Sequence, residues 1–220
     1  MAVDHVATNM GGDSGASPSQ LAAITIDATT KGAVGWWSTW QNKTPTDMTL
    51  GGAQPDAEDL TYSHGGGNKY CYGYWNTPTT GSGKVLSVAF SGGGNPTYGA
   101  LMGVCEFKGN GAAPDQAEHA FTSSSATLVG ETTDHLYLAF RKREHYSGVP
   151  AAIGSPWVSR ASTNFNVQGG RIETRAGSTS SVVVPTGDNS YGFVSLIAVP
   201  PAAAGGVNAA AMRRRRDGQY

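Results

Sequence analysis

The stretch KVLSVAFS, residues 84–91, alternates between two kinds of side chain. Leu86, Val88 and Phe90 fall on one face, and smaller or more polar side chains separate them. Successive side chains of a β-strand point to opposite faces of the sheet. The stretch therefore predicts a strand with one strongly buried face.

A second stretch, SYGFVSLIAV at residues 190–199, is largely apolar at both sets of alternating positions. Tyr191 and Phe193 belong to one set, and Val194 and Leu196 belong to the other. A short, continuous apolar run of this length is typical of a strand in the interior of a stacked β protein. We expect this strand to be central and covered on both sides.

Short blocks of the same kind recur along the chain and are separated by clusters of Gly, Pro, Asn and Ser, which favour turns. The blocks are 21–28, 32–40, 69–75, 84–91, 98–107, 135–143, 170–176, 181–185 and 190–199. Helical periodicity is nearly absent, and only 114–121, after Pro114, has the composition of one helical turn. These patterns predict an all-β, antiparallel two-sheet sandwich of about nine strands.

The chain has 220 residues, of which 14% are charged. We expect one sandwich domain over 20–200, preceded by an N-terminal arm at 1–19. Residues 201–220 form an extended C-terminal tail, an Ala- and Gly-rich tether that ends in a basic cluster. No tandem repeat of fixed period is evident, and no apolar run is long enough to span a bilayer.

Acidic residues are the first candidates for catalysis, because a glycosidase needs two carboxyl groups facing each other. They do not converge in the sequence. They are Asp56, Glu58 and Asp59 in one loop, Glu106 on the polar face of a strand, and Glu118, Glu131 and Asp134 in or beside loops. The five histidines, at 5, 64, 119, 135 and 145, lack metal-ligand spacing and are expected on the surface or in loops. We predict no enzyme activity, no metal and no cofactor.

Aromatic residues are the stronger candidates for a binding role. Exposed rings of this kind can stack on glycans or bases, whereas buried rings would form a core ladder or a protein interface. We favour an interface over a glycan site. The candidate residues are Trp36, Trp37, Trp40, Tyr70, Tyr72 and Tyr74.

Two cysteines, Cys71 and Cys105, are too few to form a disulfide framework in a chain of this size. We interpret them first as buried thiols that behave as small hydrophobic side chains. A disulfide, within the chain or between subunits, is the alternative.

The C-terminal tail carries a dense cluster of guanidinium groups, which attract phosphates or acidic protein surfaces. We predict that this tail makes an assembly contact, with a merely solubilising tail as the alternative and direct nucleic-acid binding as the less favoured use. The residues concerned are Arg213, Arg214, Arg215, Arg216 and Tyr220.

The run YCYGYWNTPTTGSGKVLSVAFSGGGNPTYGALMGVCEFKG, residues 70–109, joins an aromatic strand to the segments TGSGKVLSVAFSG and GVCEFKG. It resembles a recurrent pattern in virion-associated proteins of tailed bacteriophages. The segments DHLYLAFRKRE at 134–144 and SYGFVSLIAVPP at 190–201 look like the next strand and the closing strand of that pattern. The turn Asn76-Thr77-Pro78 departs from its usual Pro-Pro turn.

This resemblance covers roughly residues 20–200 and implies a jelly-roll-like sandwich located on the virion, with no catalytic residues to carry over. We expect a capsid-surface decoration, spike or fibre component, because a compact domain with a basic tether suits docking onto a lattice of subunits. The expected partners are other virion proteins, in a homo-oligomer or a lattice, and no membrane. The alternative is a tail- or baseplate-associated module that binds host-surface glycans.

Overall fold

The computed structural model describes residues 2–39, 43–60, 63–64, 68–92, 94–96, 98–121, 124–131, 134–143, 148–186 and 192–202. All regular secondary structure within these ranges is β, and every strand pairing is antiparallel, which confirms the predicted fold class. The same ranges contain no helix that is long and apolar enough to cross a membrane.

The strands outnumber the roughly nine that the sequence pattern indicates. They are β1 (Asp4–Asp13), β2 (Ser19–Ile26), β3 (Gly32–Thr39), β4 (Thr44–Leu50), β5 (Ala57–Asp59), β6 (Ser63–His64), β7 (Asn68–Asn76), β8 (Gly81–Ser91), β9 (Ala100–Lys108), β10 (Gln116–Phe121), β11 (Ser125–Leu128), β12 (Leu136–Arg143), β13 (Val158–Phe165), β14 (Gln168–Ala176), β15 (Val182–Pro185) and β16 (Phe193–Val199). Each predicted block overlaps one of them, so the predicted number is wrong but the predicted positions are confirmed to within a few residues.

The strands form four sheets. The first central sheet has the order β1-β9-β3-β7-β5, with β6 also paired to β7. The second central sheet has the order β10-β16-β12-β14-β13. The first outer sheet is β2-β8-β4, and the second outer sheet is β11-β15.

Three hydrophobic clusters join these sheets into a stack of four layers instead of the predicted two. The cluster between the two central sheets includes Val34, Trp36, Tyr70, Leu101, Phe107, Leu138, Phe140, Ile172, Phe193 and Ile197. A second cluster joins the first outer sheet to the first central sheet, and a third joins the second central sheet to the second outer sheet. Each central sheet is therefore covered on both faces.

The two stretches that decide the fold behave as expected. On β8, Leu86, Val88 and Phe90 are buried, whereas the residues between them are only half-buried. On β16 every residue is buried, because this strand lies inside the second central sheet between two other layers.

Two predicted segments differ from the structure. The segment 114–121 contains β10 (Gln116–Phe121) and not a helical turn, because the strand pairs with β16 and its His119 and Phe121 rings pack against Phe193. The predicted N-terminal arm at 1–19 contains β1, which pairs with β9 from Asp4 to Asp13. β1 is an edge strand whose residues are mostly half-buried, so its sequence does not show the alternation of apolar and polar residues by which strands were predicted.

The strand order of the first half of the chain is repeated in the second half. In each central sheet, the first strand of the half lies beside the last, so that β1-β9-β3-β7 corresponds to β10-β16-β12-β14. In each outer sheet, the second strand lies beside the penultimate one, so that β2-β8 corresponds to β11-β15. The chain thus contains two units of like topology, packed face to face through their central sheets.

Candidate interaction site

The start of β1 and the end of β16 meet at one end of the molecule, which we call the tether pole and define as residues 2–4, 108–111 and 199–202. The backbone N–H of Ala202 donates to the carbonyl oxygen of Gly109 at 2.8 Å, and Asn110 forms an antiparallel bridge with Pro201. Gly109 has a φ of 82°, and a Cβ there would lie 2.4 Å from the carbonyl oxygen of Ala2. Residues 203–220 therefore continue from a point beside Ala2.

The loop that holds the tether is itself fixed to the first central sheet. The side-chain amide of Asn110 donates to the hydroxyl of Tyr74 on β7 at 2.9 Å. Two residues after Tyr74, at the end of β7, the backbone N–H of Asn76 donates to the carboxylate of Asp56 at 2.6 Å. Burial raises the pKa of Tyr74 to about 12, so its hydroxyl stays neutral and available as an acceptor. The first residues of the tether thus have a defined position.

A groove of about 260 Å³ lies beside the tether pole, between the start of β1 and the hairpin formed by β13 and β14. We call it the basic groove; its lining is Val3, Asp4, His5, Leu136, Pro156, Val158, Arg160, Thr174, Arg175 and Ala176. Arg160 Nε donates to Thr174 Oγ1 at 2.7 Å. Within the described ranges, neither Arg160 nor Arg175 forms an ion pair. The exposed guanidinium group of Arg160 is therefore available to an anionic partner, and Arg175 adds a second positive charge to the lining.

His5 adds no positive charge to the basic groove at neutral pH. Its Nε2 lies 2.8 Å from Thr8 Oγ1. Burial, followed by the positive charge of Arg160, lowers the pKa of His5 to about 4. The charge of the groove at pH 7 therefore comes from its two arginines and from Asp4.

Two of the acidic residues considered for catalysis, Glu106 and Glu118, have separate structural roles. Glu106 is buried and accepts hydrogen bonds from the backbone of Asp27 at 2.9 Å and from Thr30 Oγ1 at 2.7 Å. Its predicted place on a polar face is wrong, because the loop after β2 covers that face. Glu118 accepts the backbone N–H of Thr127 at 2.8 Å. Among the described residues, no group of three His, Cys, Asp or Glu side chains is placed to hold a metal ion.

The aromatic candidates form a core ladder. Trp36, Trp37, Tyr70, Tyr72 and Tyr74 are each no more than 4% exposed, whereas Trp40 lies outside the described residues. Stacking on a glycan needs an exposed ring face, so these five residues fit the core-ladder alternative and not a glycan site.

Ser195 gives this ladder its polar contacts. The Ser195 hydroxyl lies 2.6 Å from the hydroxyl of Tyr70 and accepts the indole N–H of Trp36 at 3.2 Å. Trp36 also stacks on Phe140, with ring centroids 5.7 Å apart. Contacts from Trp36 and Tyr70 thus cross from the first central sheet to the second.

The histidines were expected on the surface or in loops; His135 lies in a loop, whereas His5 and His119 lie half-buried on strands. His119 lies on β10 with its ring 4.9 Å from that of Tyr70, and burial lowers its pKa to about 4. His135 is buried, and its Nε2 lies 3.1 Å from the carboxylate of Asp115. His145 and the side chain of His64 lie outside the described part. Sequence spacing could not reveal the surroundings of His119, because the rings of Tyr70 and Phe193 come from distant strands.

Cys71 and Cys105 are free, buried thiols, as the first interpretation predicts. They belong to different clusters on opposite faces of the first central sheet. Burial raises the pKa of Cys105 to about 12 and that of Cys71 well above its ordinary value. Both therefore remain protonated and pack as small apolar groups.

The residues of the predicted assembly contact, Arg213, Arg214, Arg215, Arg216 and Tyr220, lie outside the described residues. The structure gives the point from which their segment departs, and the contact itself stays a prediction. In comparisons with known proteins, no family model, no curated protein and no solved structure matches the chain.

Proposed function

We propose that this chain is a non-enzymatic structural protein of a bacteriophage virion, a capsid-surface decoration, spike or fibre component that docks on neighbouring subunits. The tether pole is the observation that supports this role most. Hydrogen bonds from 109–111 to 200–202 fix the start of the tether, so a basic tail departs from a defined end of a packed body. The resemblance carried by residues 70–109 supplies the virion setting.

We further propose that each of the two units is a reduced jelly roll. Adjacent first and last strands in one sheet, with second and penultimate strands adjacent in the facing sheet, fit that arrangement, and both units have them. Jelly rolls serve as capsid proteins and as lectins. A structural role and a glycan-binding role therefore have to be separated by their sites and not by the fold.

The tail would act by charge. Four adjacent guanidinium groups stay protonated at all physiological pH values and form paired hydrogen bonds with carboxylates. A tether rich in Ala and Gly lets them reach a neighbouring acidic surface while the body stays in place. Docking of this kind weakens as salt rises, because exposed charges are screened.

A truncated chain that ends at residue 202 tests this function, because it keeps the contacts of the tether pole. We expect it to fold normally by near-ultraviolet circular dichroism and to be lost from purified phage particles. A full-length chain with Arg213, Arg214, Arg215 and Arg216 changed to Gln should show the same loss. Normal incorporation of both variants would contradict the proposal.

The alternative function is a tail- or baseplate-associated module that binds host glycans. Five of its six candidate aromatic residues are buried in the core. A glycan array is the appropriate test, with Trp40→Ala as the variant that should abolish a signal carried by the remaining candidate. We favour the structural role.

A further inference from the structure

We infer that the basic groove docks the acidic edge of a second copy of this chain, so that copies associate side by side. The inference deepens the proposed function, on which it rests, because it names one neighbour on the particle as an identical subunit. We define the acidic edge as Asp47 on β4 and Asp56, Glu58 and Asp59 at and beside β5.

The hairpin that borders the groove carries an excess of positive charge. Arg160, Arg171 and Arg175 lie on β13 and β14, and Glu173 is the one carboxylate on the same two strands. The charge of Glu173 is neutralised by Arg141 on the neighbouring strand β12, whose Nη1 lies 3.2 Å from Glu173 Oε2. Of these three arginines, Arg160 and Arg175 line the groove, whereas Arg171 donates to the carbonyl oxygen of Pro150 and to Ser159 Oγ.

Apolar surface accompanies this charge. Val158, in the groove lining, is one of the large hydrophobic side chains that the described surface exposes, at 46%. Leu136 and Pro156 line the same groove. Protein interfaces combine an apolar centre with charged groups at the rim, and this groove offers both.

The acidic edge carries the opposite charge. Asp47 and Glu58 form no ion pair within the described residues, and Gln54 donates to Asp47 Oδ1 at 2.9 Å. Burial, and then the negative charge of Asp47, raises the pKa of Glu58. A cationic partner would relieve the repulsion between these two carboxylates.

The basic groove and the acidic edge lie at opposite edges of the first central sheet, at similar positions along the direction of its strands. β1 and β5 are the two edges of the first central sheet, and β13 packs beside β1. Along the strands, His5 pairs with Phe107, whose ring stacks on Tyr74, and Tyr74 pairs with Ala57 of β5. One copy can thus present its acidic edge to the groove of the next. Such a head-to-tail contact closes into a ring or extends along a lattice.

Sedimentation velocity of the full chain tests this contact. We expect association that grows with protein concentration in roughly 0.1 M salt and is largely lost in roughly 1 M salt. The variants R160E/R175E and D47K/E58K should each weaken association by more than about tenfold, because each opposes like charges. The chain with all four substitutions should recover association, because both surfaces are then reversed.

A matched control is K31E/K84E, which makes the same change in net charge at an exposed and a half-buried lysine outside the groove lining, the tether pole and the acidic edge. It should associate like the unaltered chain. If R160E/R175E loses its near-ultraviolet circular dichroism, R160Q/R175Q replaces it and should still weaken association.

A chain that stays monomeric in low salt overturns the inference, and so does association that the groove variants leave unchanged. These outcomes are distinct from a failure of the proposed function. A monomeric chain that still enters particles, and loses this ability on truncation at 202, overturns the side-by-side contact alone. Normal incorporation of the truncated chain overturns the proposed function.

Discussion

Ser195 and Lys142 are polar side chains buried where the two central sheets meet. The Ser195 hydroxyl forms hydrogen bonds with Trp36 and Tyr70, and Lys142 Nζ donates to Ser38 Oγ at 3.1 Å. A buried polar group without its partner costs about 1–3 kcal/mol. These contacts therefore favour one alignment of the two sheets over others in which the apolar burial would be similar.

His119 makes the stability of the protein depend on pH. Its pKa falls from 6.5 in the unfolded chain to about 4 in the folded one, because burial disfavours the charged ring. Between these values the unfolded chain binds the additional proton, so the free energy of unfolding decreases as the pH is lowered from 6.5 towards 4. This group accounts for up to about 3 kcal/mol of the decrease. Urea denaturation at several pH values measures it.

The variant His119→Met isolates this contribution, because it keeps an apolar side chain against Tyr70 and Phe193 and removes the titration. We expect its free energy of unfolding to fall less steeply than that of the unaltered chain between pH 6.5 and pH 4. Equal slopes for the two chains would show that His119 is not the group responsible.

Edge strands show how the fold limits uncontrolled association. β2, β4 and β13 each contain a bulge in their pairing, and β4 also carries Pro45. Bulges and prolines interrupt the row of backbone groups that another strand would need. Association is therefore expected to use side chains, as in the basic groove, rather than an added strand.

Arg141 and Glu173 connect β12 and β14 to the segment that covers them. Arg141 Nη1 donates to the carbonyl of Ala151 at 2.6 Å, and Glu173 Oε1 accepts the backbone N–H of Ile153 at 2.9 Å. Arg141→Met should lower the free energy of unfolding by about 3–5 kcal/mol, because it leaves a buried carboxylate without its cation. Urea denaturation gives this value, and limited proteolysis should show new cleavage near residue 151.

The double variant Arg141→Met/Glu173→Met provides the comparison. Replacement of both charges by apolar groups removes the unpaired carboxylate, so it should be less destabilising than Arg141→Met alone. A double variant as unstable as the sum of the single ones would mean that the two groups act independently.

At the scale of the whole molecule, the two units share one core. The cluster between the central sheets takes Trp36 and Tyr70 from the first unit and Leu138 and Phe140 from the second. Separation of the units would expose this surface to water, so we expect both to unfold together. Differential scanning calorimetry should show one transition whose calorimetric and van't Hoff enthalpies agree.

Leu138→Ala should shift this single transition to lower temperature, because it removes about 2–5 kcal/mol of packing from the shared core. Val183→Ala is its control, since Val183 is 53% exposed on the second outer sheet and should shift the transition little. Two separate transitions, of which Leu138→Ala shifts only one, would indicate that the two units unfold independently.

Much of the local structure could be predicted from the sequence. The alternation in 84–91 identified both the strand and its buried face, and the continuous apolar run at 190–199 identified a strand covered on both sides. These are properties of one segment, since the period of two follows from backbone geometry. The burial of the two cysteines was predicted separately, from the tendency of a free thiol to pack as a small hydrophobic group.

The candidate site was less accessible to prediction. His5, Arg160 and Arg175 line one groove although more than a hundred residues separate the first from the others. Glu106 was expected on a polar face and is covered by the loop after β2, and His119 was expected on the surface or in a loop but packs against Tyr70 from a distant strand. Patterns within a segment carry no information about which distant segment will cover it.

The amino-acid sequence by itself determined that the protein is antiparallel β, where nine of the strands lie and which side chains the strands at 84–91 and 190–199 bury. Only the tertiary structure decided that four layers form, that one strand order occurs twice and that the tether begins beside Ala2. The physical reason is that the formation of a strand, and which of its side chains point to the buried face, follow from the local alternation of apolar and polar residues. Pairing and stacking depend on non-local contacts, and many distant segments are apolar enough to supply them.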